Sequence, residues 1–299
     1  MYKIATLNKI SPVGLARFSD QYTISDEVSC SSGILVRSQD MHEMELDKEL
    51  LAIARAGAGV NNIPLDKCAD KGVVVFNTPG ANANAVKELV LAGLFLSARN
   101  IPAGIKWAST LTENIGKAVE KGKGQFAGTE LKGKTLGIIG LGAIGGMVAN
   151  AACDLGMKVI GYDPYFGVKA AHQLYSCVEV KNEIKDVLPE CDYVSIHVPA
   201  MDSTKGMFNA ELFTVMKDGA VLLNFSRDKL VNEPDLLSAL ETGKLGQYVT
   251  DFPTDGVLGK EGVIAIPHLG ASTAEAEDNC ASMAAEQLMD CLLYTSRCV

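Results

Sequence analysis

The sequence lacks any pair of cysteines at a two-residue spacing, and it lacks an apolar run long enough to cross a bilayer. Its eight cysteines are scattered over 299 residues, which argues against a zinc site or a disulfide framework and indicates reduced thiols. The longest strongly apolar stretch, residues 89–98, is much shorter than the roughly 20 residues of a transmembrane helix. The first three residues lead directly into a strand pattern, so we expect no signal peptide, no membrane partner and a cytoplasmic location.

Positive charge is also scarce, because 27 Lys and Arg face 36 Asp and Glu and give a net charge of −9. This balance argues against nucleic acid or an acidic membrane surface as a partner. An anionic small substrate is still compatible with it, because such a substrate needs only a local cluster of basic residues. The length, with 47% hydrophobic residues, predicts two domains that each have a core.

A glycine-rich turn joins an apolar strand pattern, Leu136–Ile139, to a segment of helical periodicity. The turn reads Gly140-x-Gly142-x-x-Gly145, and a second strand pattern after the helix ends at Asp163, 23 residues after Gly140. Strand, glycine turn, helix, strand and terminal acid together predict a dinucleotide-binding unit.

Each part of this motif has a physical role in binding a dinucleotide. Gly140 allows the tight turn, Gly142 lets the backbone approach a pyrophosphate, and Gly145 lets the helix lie close to the sheet. The amide groups at the helix N-terminus hold the phosphate charge. Asp163 can accept hydrogen bonds from ribose hydroxyls and would repel a 2′-phosphate, and no Arg follows it, so the motif predicts NAD rather than NADP.

Basic residues follow three of the four apolar strand patterns that precede residue 80. These patterns are Tyr2–Leu7, Gly33–Val36, Leu50–Ala54 and Gly72–Phe76, and helical segments separate several of them, which predicts a small parallel α/β unit. Lys9, Arg37 and Arg55 come at or after strand ends, where ligands bind in such sheets. Each alone is typical of a solvated surface, whereas three together beside a Gly-Ala-Gly turn indicate a phosphate or carboxylate site.

Strand and helix patterns continue to alternate through the rest of the chain. A helix over Asn82–Ala98, apolar on nearly every face, is followed by a break near residue 100 and a second helix to about Glu120. Later strands are predicted over 192–198, 220–225, 247–252 and 263–266, with helices over 209–216, 234–243 and 274–288. We therefore predict an α/β fold in which a Rossmann dinucleotide-binding domain, residues 99–271, is inserted into a smaller flavodoxin-like parallel α/β substrate domain, residues 1–98 and 272–299.

Five motifs in a fixed order carry a resemblance to a known family. Four of them, in chain order, are the glycine turn, His197-Val198-Pro199, Asn224-Phe225-Ser226-Arg227 and Pro267–Thr273; Arg55–Val60 is the fifth, and Phe76–Gly80 adds to them. In order and spacing the chain resembles the D-2-hydroxyacid dehydrogenases from residue 2 to about residue 290. The resemblance implies NAD-dependent oxidation of a phosphorylated D-2-hydroxy acid, with 3-phospho-D-glycerate as the expected substrate, and we expect a homodimer.

The resemblance also implies roles for individual residues. The catalytic set would be Arg227, which grips the substrate carboxylate and carbonyl oxygen, His268, the general acid/base, and Asp255, a carboxylate partner for the imidazole. Implied cofactor contacts are Ala58, Gly140, Gly142, Ala143, Ile144, Gly145, Asp163, Val198, Pro199, Phe225, Ser226, Arg227, Asp251, His268, Gly270 and Ala271. Implied substrate contacts are Lys9, Arg37, Arg55, Gly57, Ala58, Gly59, Arg227 and His268, and no metal site is expected.

Three departures from the family pattern leave alternatives open. Asp255 stands where the family has Glu, in a segment one residue shorter, so the sequence alone leaves open whether it reaches His268. Asp228 follows Arg227 where Gly is usual. Residues 291–296 resemble a translated transposon end from a sequencing library, so we expect 291–299 to be non-native. The alternatives are a dehydrogenase for another D-2-hydroxy acid, and an NAD-sensing binding protein of this fold with weak catalysis.

Overall fold

The structure, a computed structural model, describes residues 1–297 of the chain. The chain divides into two compact units, Met1–Ala85 with the segment from Ala271 onward, and Val86–Gly270. The boundaries at residues 98 and 271 stay a prediction. The apolar helix before the first of them, α3 (Ala83–Ala98), places Val86, Val90 and Leu94 in a core of the second unit.

The first unit is a five-stranded parallel sheet with helices. Its strands are β1 (Tyr2–Leu7), β2 (Tyr22–Ser25), β3 (Gly33–Val36), β4 (Ala52–Arg55) and β5 (Val74–Phe76), and its helices are α1 (Pro12–Leu15), α2 (Leu65–Asp70) and α11 (Ala274–Arg297). The strand order β2-β1-β3-β4-β5 is the flavodoxin-like order, which confirms the predicted fold of this unit.

Both faces of this sheet are apolar, as the continuous hydrophobic strands predict. Successive residues point to opposite faces, so Leu35 joins one core cluster while its neighbours Ile34 and Val36 join another. The α11 residues Ala281, Ala284 and Leu288 belong to the cluster with Leu35. At the far end of α11 the Leu292 carbonyl accepts a hydrogen bond of 3.0 Å from the Tyr2 hydroxyl.

The second unit is a seven-stranded parallel sheet. Its strands are β6 (Thr135–Ile139), β7 (Lys158–Tyr162), β8 (Val178–Lys181), β9 (Tyr193–Ile196), β10 (Ala220–Asn224), β11 (Leu245–Thr250) and β12 (Val263–Ala265). Its helices after α3 are α4 (Ile101–Ala108), α5 (Ile115–Gly122), α6 (Ala143–Asp154), α7 (Val168–Gln173), α8 (Ile184–Val187), α9 (Ala210–Val215) and α10 (Glu233–Glu241). The order β8-β7-β6-β9-β10-β11-β12 is the doubly wound Rossmann order with one added strand, which confirms the predicted dinucleotide-binding fold.

Three secondary-structure predictions were wrong in detail. The strands β2 and β8 were missed, because each is a four-residue edge strand in which only the first residue is buried. The single helix predicted up to Glu120 is two helices, and Asn114, with a left-handed φ of 47°, separates them. The final helix continues past Leu288 to Arg297.

No single helix in the described part of the chain has both the length and the hydropathy of a membrane span, and only the bent pair α3 and α4 meets that test when joined.

Candidate functional site

The glycine turn after β6 leaves no room for side chains at two of its three glycines. Gly140 has a left-handed φ of 98°, and a Cβ there would lie 2.6 Å from the His197 carbonyl oxygen. A Cβ on Gly145 would overlap the Gly140 carbonyl oxygen. The turn is tied to β7 because the Gly140 amide donates to the Tyr162 carbonyl at 2.8 Å. Only glycine can therefore occupy positions 140 and 145, as the motif predicted.

Asp163, the acid after β7, accepts hydrogen bonds with both of its oxygens, and one of these bonds comes from the glycine turn. Its Oδ2 accepts a hydrogen bond from the Leu141 amide, and its Oδ1 accepts one from the Tyr165 amide, each at 2.8 Å. Each carboxylate oxygen has a second lone pair that can accept a ribose hydroxyl. Gly142 caps α6, so the amides of Ala143, Ile144 and Gly145 lie in the first turn of this helix, where amides have no acceptor within the helix.

The predicted residues of the second unit lie in loops at one edge of its sheet. The strands β9, β10 and β11 are parallel neighbours, and each ends just before its motif. Val198 and Pro199 follow β9, and Phe225 and Ser226 follow β10, while Asp251 follows β11. The Ser226 hydroxyl donates to the Ile196 carbonyl at 2.8 Å and so joins the first two loops.

Arg227 and His268 are linked by an aromatic ring that the sequence analysis missed. The Arg227 guanidinium carbon lies 5.2 Å from the centre of the Phe252 ring, and the centroids of the Phe252 and His268 rings are 4.3 Å apart. The Arg227 backbone is fixed by Asn224, whose amide donates to the Arg227 carbonyl at 2.8 Å. Phe252 therefore lies against two of the three predicted catalytic side chains.

Asp251 is the buried carboxylate of this cluster, with only 1% of its surface exposed. Its Oδ2 accepts the Gly270 amide at 3.1 Å, whereas its buried Oδ1 has no hydrogen-bond partner among the described residues. Burial raises the pKa of Asp251, and the charges of His268 and Arg227 together with the Gly270 hydrogen bond oppose this rise. A buried oxygen without a partner can accept a hydrogen bond from a ligand, for example from a carboxamide group.

Asp255, in contrast, has an exposed side chain. Its two neighbours are held on α10, because the Thr254 hydroxyl donates to Glu233 at 2.5 Å and a Cβ on Gly256 would overlap the same carboxylate. Asp228 is half-buried in a short 3₁₀ helix. The catalytic role of Asp255 stays a prediction.

In the first unit, two of the three basic residues meet at the ends of neighbouring strands. The Arg55 Nε donates to the Arg37 carbonyl at 3.0 Å and to Asn62 Oδ1 at 3.1 Å. The Arg37 guanidinium forms an ion pair of 2.8 Å with Glu277 on α11. Lys9 is exposed two residues after β1. Glu277 was missed by the sequence analysis, because it lies 240 residues from Arg37 in the sequence.

The turn that follows Arg55 places further backbone groups beside the guanidinium. A Cβ on Gly57 would overlap Arg55 Nη1, so a side chain at this position would displace the guanidinium. The exposed Ala58 accepts a hydrogen bond at its carbonyl from the Asn77 side chain at 2.6 Å, and the half-buried Gly59 follows it. Both the Arg55–Val60 and Phe76–Gly80 motifs are therefore used to build one turn.

Two further side chains of the second unit, His197 and Trp107, contact scaffold residues. His197 Nε2 lies 2.9 Å from Ser195 Oγ, and burial lowers the pKa of His197 to about 4, so its imidazole is neutral at physiological pH. The Trp107 ring packs against Phe126 with centroids 5.3 Å apart.

Comparison with known proteins gives the same picture. Residues 92–270 match the NAD binding domain of the D-isomer specific 2-hydroxyacid dehydrogenases. D-3-phosphoglycerate dehydrogenase from Homo sapiens is 36% identical over 273 residues, 88% of this chain and 49% of that protein. Hydroxypyruvate reductase from Thermotoga maritima is 38% identical over 243 residues, 78% of this chain and 75% of that protein.

A solved structure, cofactor (NAD⁺) bound 3-phosphoglycerate dehydrogenase from Entamoeba histolytica, superposes with a TM-score of 0.74 at 25% identity and covers 98% of this chain and 95% of that chain. The chain spans about half the length of the first phosphoglycerate dehydrogenases that it matches. The NAD binding domain match and the NAD-bound structure identify NAD as the cofactor, and the Gly140 turn, Asp163 and the unpartnered Asp251 oxygen fit it.

Proposed function

Because this chain belongs to the D-isomer specific 2-hydroxyacid dehydrogenase family, we propose that it oxidises 3-phospho-D-glycerate to 3-phosphohydroxypyruvate, the first step of serine biosynthesis. The curated relatives named D-3-phosphoglycerate dehydrogenase support this substrate. The structural observation that carries it is the pair of arginines at the ends of β3 and β4. The Arg55 side chain donates to the Arg37 backbone carbonyl, which brings the two residues together, and two guanidinium groups suit a dianionic phosphate.

The proposed chemistry divides between two side chains next to Phe252. Arg227 donates two parallel hydrogen bonds to the substrate carboxylate and carbonyl oxygen, which a planar guanidinium does well. His268 takes the proton of the C2 hydroxyl as this oxygen becomes a carbonyl. Bound NAD supplies the acceptor for the hydride that leaves C2, and Asp251 would hold its carboxamide through the unpartnered Oδ1.

A second candidate, a dehydrogenase for an unphosphorylated 2-hydroxy acid, is favoured by one specific contact. Glu277 neutralises Arg37 at 2.8 Å, and a phosphate would have to displace this carboxylate. The relative from Thermotoga maritima, a hydroxypyruvate reductase, supports this alternative. A third candidate is an NAD-sensing protein with weak catalysis, because Asp255 stands where the family has Glu and Asp228 stands where Gly is usual.

Two substitutions with opposite effects on KM test the substrate. Arg37→Ala should raise KM for phosphoglycerate at least about tenfold and leave D-glycerate unaffected, because a charge-assisted hydrogen bond contributes about 1.5–3 kcal/mol. Glu277→Gln releases Arg37 from its ion pair and should lower KM for phosphoglycerate. Arg17→Ala, which removes an exposed arginine with a 3.7 Å ion pair to Glu286, is the matched control.

The assay is steady-state NADH formation with phosphoglycerate, D-glycerate and D-lactate. Equal losses for all three substrates in Arg37→Ala would contradict the phosphate assignment, and slow turnover of every substrate with intact NAD binding would favour the sensing protein. The expected homodimer stays a prediction, which light scattering in solution tests.

A further inference from the structure

Two cysteines of the second unit lie in direct contact although 24 residues separate them in the sequence. Cys153 is half-buried near the C-terminal end of α6, and Cys177 is exposed in the turn before β8. The Cys177 thiol donates to the Cys153 sulfur at a distance of 2.7 Å. A disulfide bond is about 2.05 Å long, so the sulfur atoms need to approach by less than 1 Å to be joined.

The backbone on both sides is held in place by contacts that do not involve the thiols. Asn150, one turn before Cys153, donates from its side chain to the Gln173 carbonyl at 2.8 Å. The same side chain accepts a hydrogen bond from the Tyr175 amide, also at 2.8 Å. The segment that carries Cys177 is therefore fixed against α6 before any bond between the sulfur atoms forms.

We propose that Cys153 and Cys177 form an oxidation site, which a small-molecule disulfide such as oxidised glutathione converts to an intramolecular disulfide. The Cys177 thiolate attacks one sulfur of the oxidant, and a mixed disulfide forms as one thiol leaves. The Cys153 sulfur then attacks Cys177, and the second thiol leaves. The two cysteines lose two electrons and two protons, and the oxidant gains both to give two thiols.

The chemistry of the two thiols favours this order of attack. Burial and the contact with Cys177 raise the pKa of Cys153 to about 12, so Cys153 is the poorer first nucleophile. Cys177 is the exposed partner that an oxidant can reach. Once Cys177 is in a mixed disulfide, its thiol no longer contributes to the raised pKa of Cys153. The Cys153 sulfur already lies beside Cys177, so it can attack the mixed disulfide in the second step.

The resulting bond would close a ring that contains β7, Asp163 and α7. It would tie the edge strand β8 to the helix whose other end begins at the glycine turn. A disulfide stabilises a fold mainly by restricting the unfolded chain. We therefore expect slower hydrogen exchange over residues 168–181 and a melting temperature several degrees higher in the oxidised protein, while NAD binding is retained.

The test uses the full chain, equilibrated with reduced and oxidised glutathione over a series of ratios, quenched in acid and mapped by mass spectrometry. We expect a Cys153–Cys177 linked peptide in the unmodified protein. Cys153→Ser should stop at the mixed disulfide, with glutathione bound to Cys177. Cys30→Ser, which removes a different exposed cysteine, should form the linked peptide like the unmodified protein.

The unmodified chain decides the outcome even if a variant fails to fold. A Cys177 that retains glutathione, or two thiols that stay free at every ratio, would overturn the proposal. Thermal unfolding provides an independent readout, because oxidation should raise the melting temperature of the unmodified and Cys30→Ser proteins but not of Cys177→Ser.

Discussion

Replacing Asp163 with Ala should weaken NAD binding and leave NADP binding nearly unchanged. The carboxylate has two functions in the structure, since it accepts the amides of Leu141 and Tyr165 and also has lone pairs for ribose hydroxyls. The first function supports the glycine turn, which both cofactors use. The second function discriminates between NAD and NADP, because a carboxylate attracts the ribose hydroxyls of NAD and repels the 2′-phosphate of NADP.

The expected size follows from the hydrogen bonds that are lost. A hydrogen bond to a charged group contributes about 1.5–3 kcal/mol, so losing the ribose contact should raise the Kd of NAD about 10- to 150-fold. Loss of the two amide contacts should weaken both cofactors by a common factor. For NADP this factor is offset by the removal of charge repulsion, so the preference for NAD should narrow by at least about tenfold.

Isothermal titration of both cofactors measures this effect, with Asp154→Ala as the control. Asp154 is an exposed acid at the opposite end of α6, so its removal changes the charge without touching the turn. Equal losses for NAD and NADP in Asp163→Ala would refute the ribose role, because they would show that the acid only supports the turn.

Two further predictions concern buried titratable groups. Burial raises the pKa of Asp251, so this group stabilises the fold at low pH and that contribution is lost as pH rises through the folded pKa. Asp251→Asn should therefore be at least as stable as the unmodified protein in neutral urea melts, yet lose about tenfold or more in kcat/KM with the carboxamide contact. A destabilised variant at neutral pH would contradict this. The folded pKa of His197 is about 4 against an ordinary 6.5, so its contribution is present above pH 6.5 and is lost as pH falls towards 4. His197→Gln should remove about 2 kcal/mol of the stability difference between pH 7 and pH 5, and an unchanged pH dependence in urea melts would count against it.

The dinucleotide unit could be predicted from the sequence because all of its determinants are local. The spacing of Gly140, Gly142 and Gly145 encodes a turn that excludes side chains at Gly140 and Gly145, and Asp163 follows at the end of the next strand. Steric exclusion and strand length each depend on a few neighbouring residues, so the sequence pattern predicts both the turn and the position of the acid.

The different environments of Asp251 and Asp255 could not be predicted in the same way. Asp251 and Asp255 are four residues apart, and family resemblance gave the catalytic role to Asp255. Which carboxylate becomes buried depends on how the following segment folds on Glu233, and that contact joins residues 21 positions apart. Phe252 was missed for a similar reason, because its position between the side chains of Arg227 and His268, both predicted to be catalytic, is set by three separate loops.

The ion pair between Arg37 and Glu277 and the contact between Cys153 and Cys177 show the same limit. Each joins residues that no periodicity relates, and the sequence pattern of scattered cysteines indicated only reduced thiols. Edge strands such as β2 and β8 were missed because a half-exposed strand of four residues has too few apolar positions to be recognised.

The discontinuous composition of the first unit has a consequence for the order of events on the ribosome. Residues 86–270 form a contiguous unit that can fold as soon as they emerge, whereas the first 85 residues must wait for α11. Until then, the sheet face with Leu35 lacks Ala281, Ala284 and Leu288, and closing it joins segments as far apart as Tyr2 and Leu292. Residues 1–85 are thus synthesised before residues 86–270 but reach their native state after them, and their exposed apolar face is a part of the nascent protein that a chaperone would have to protect.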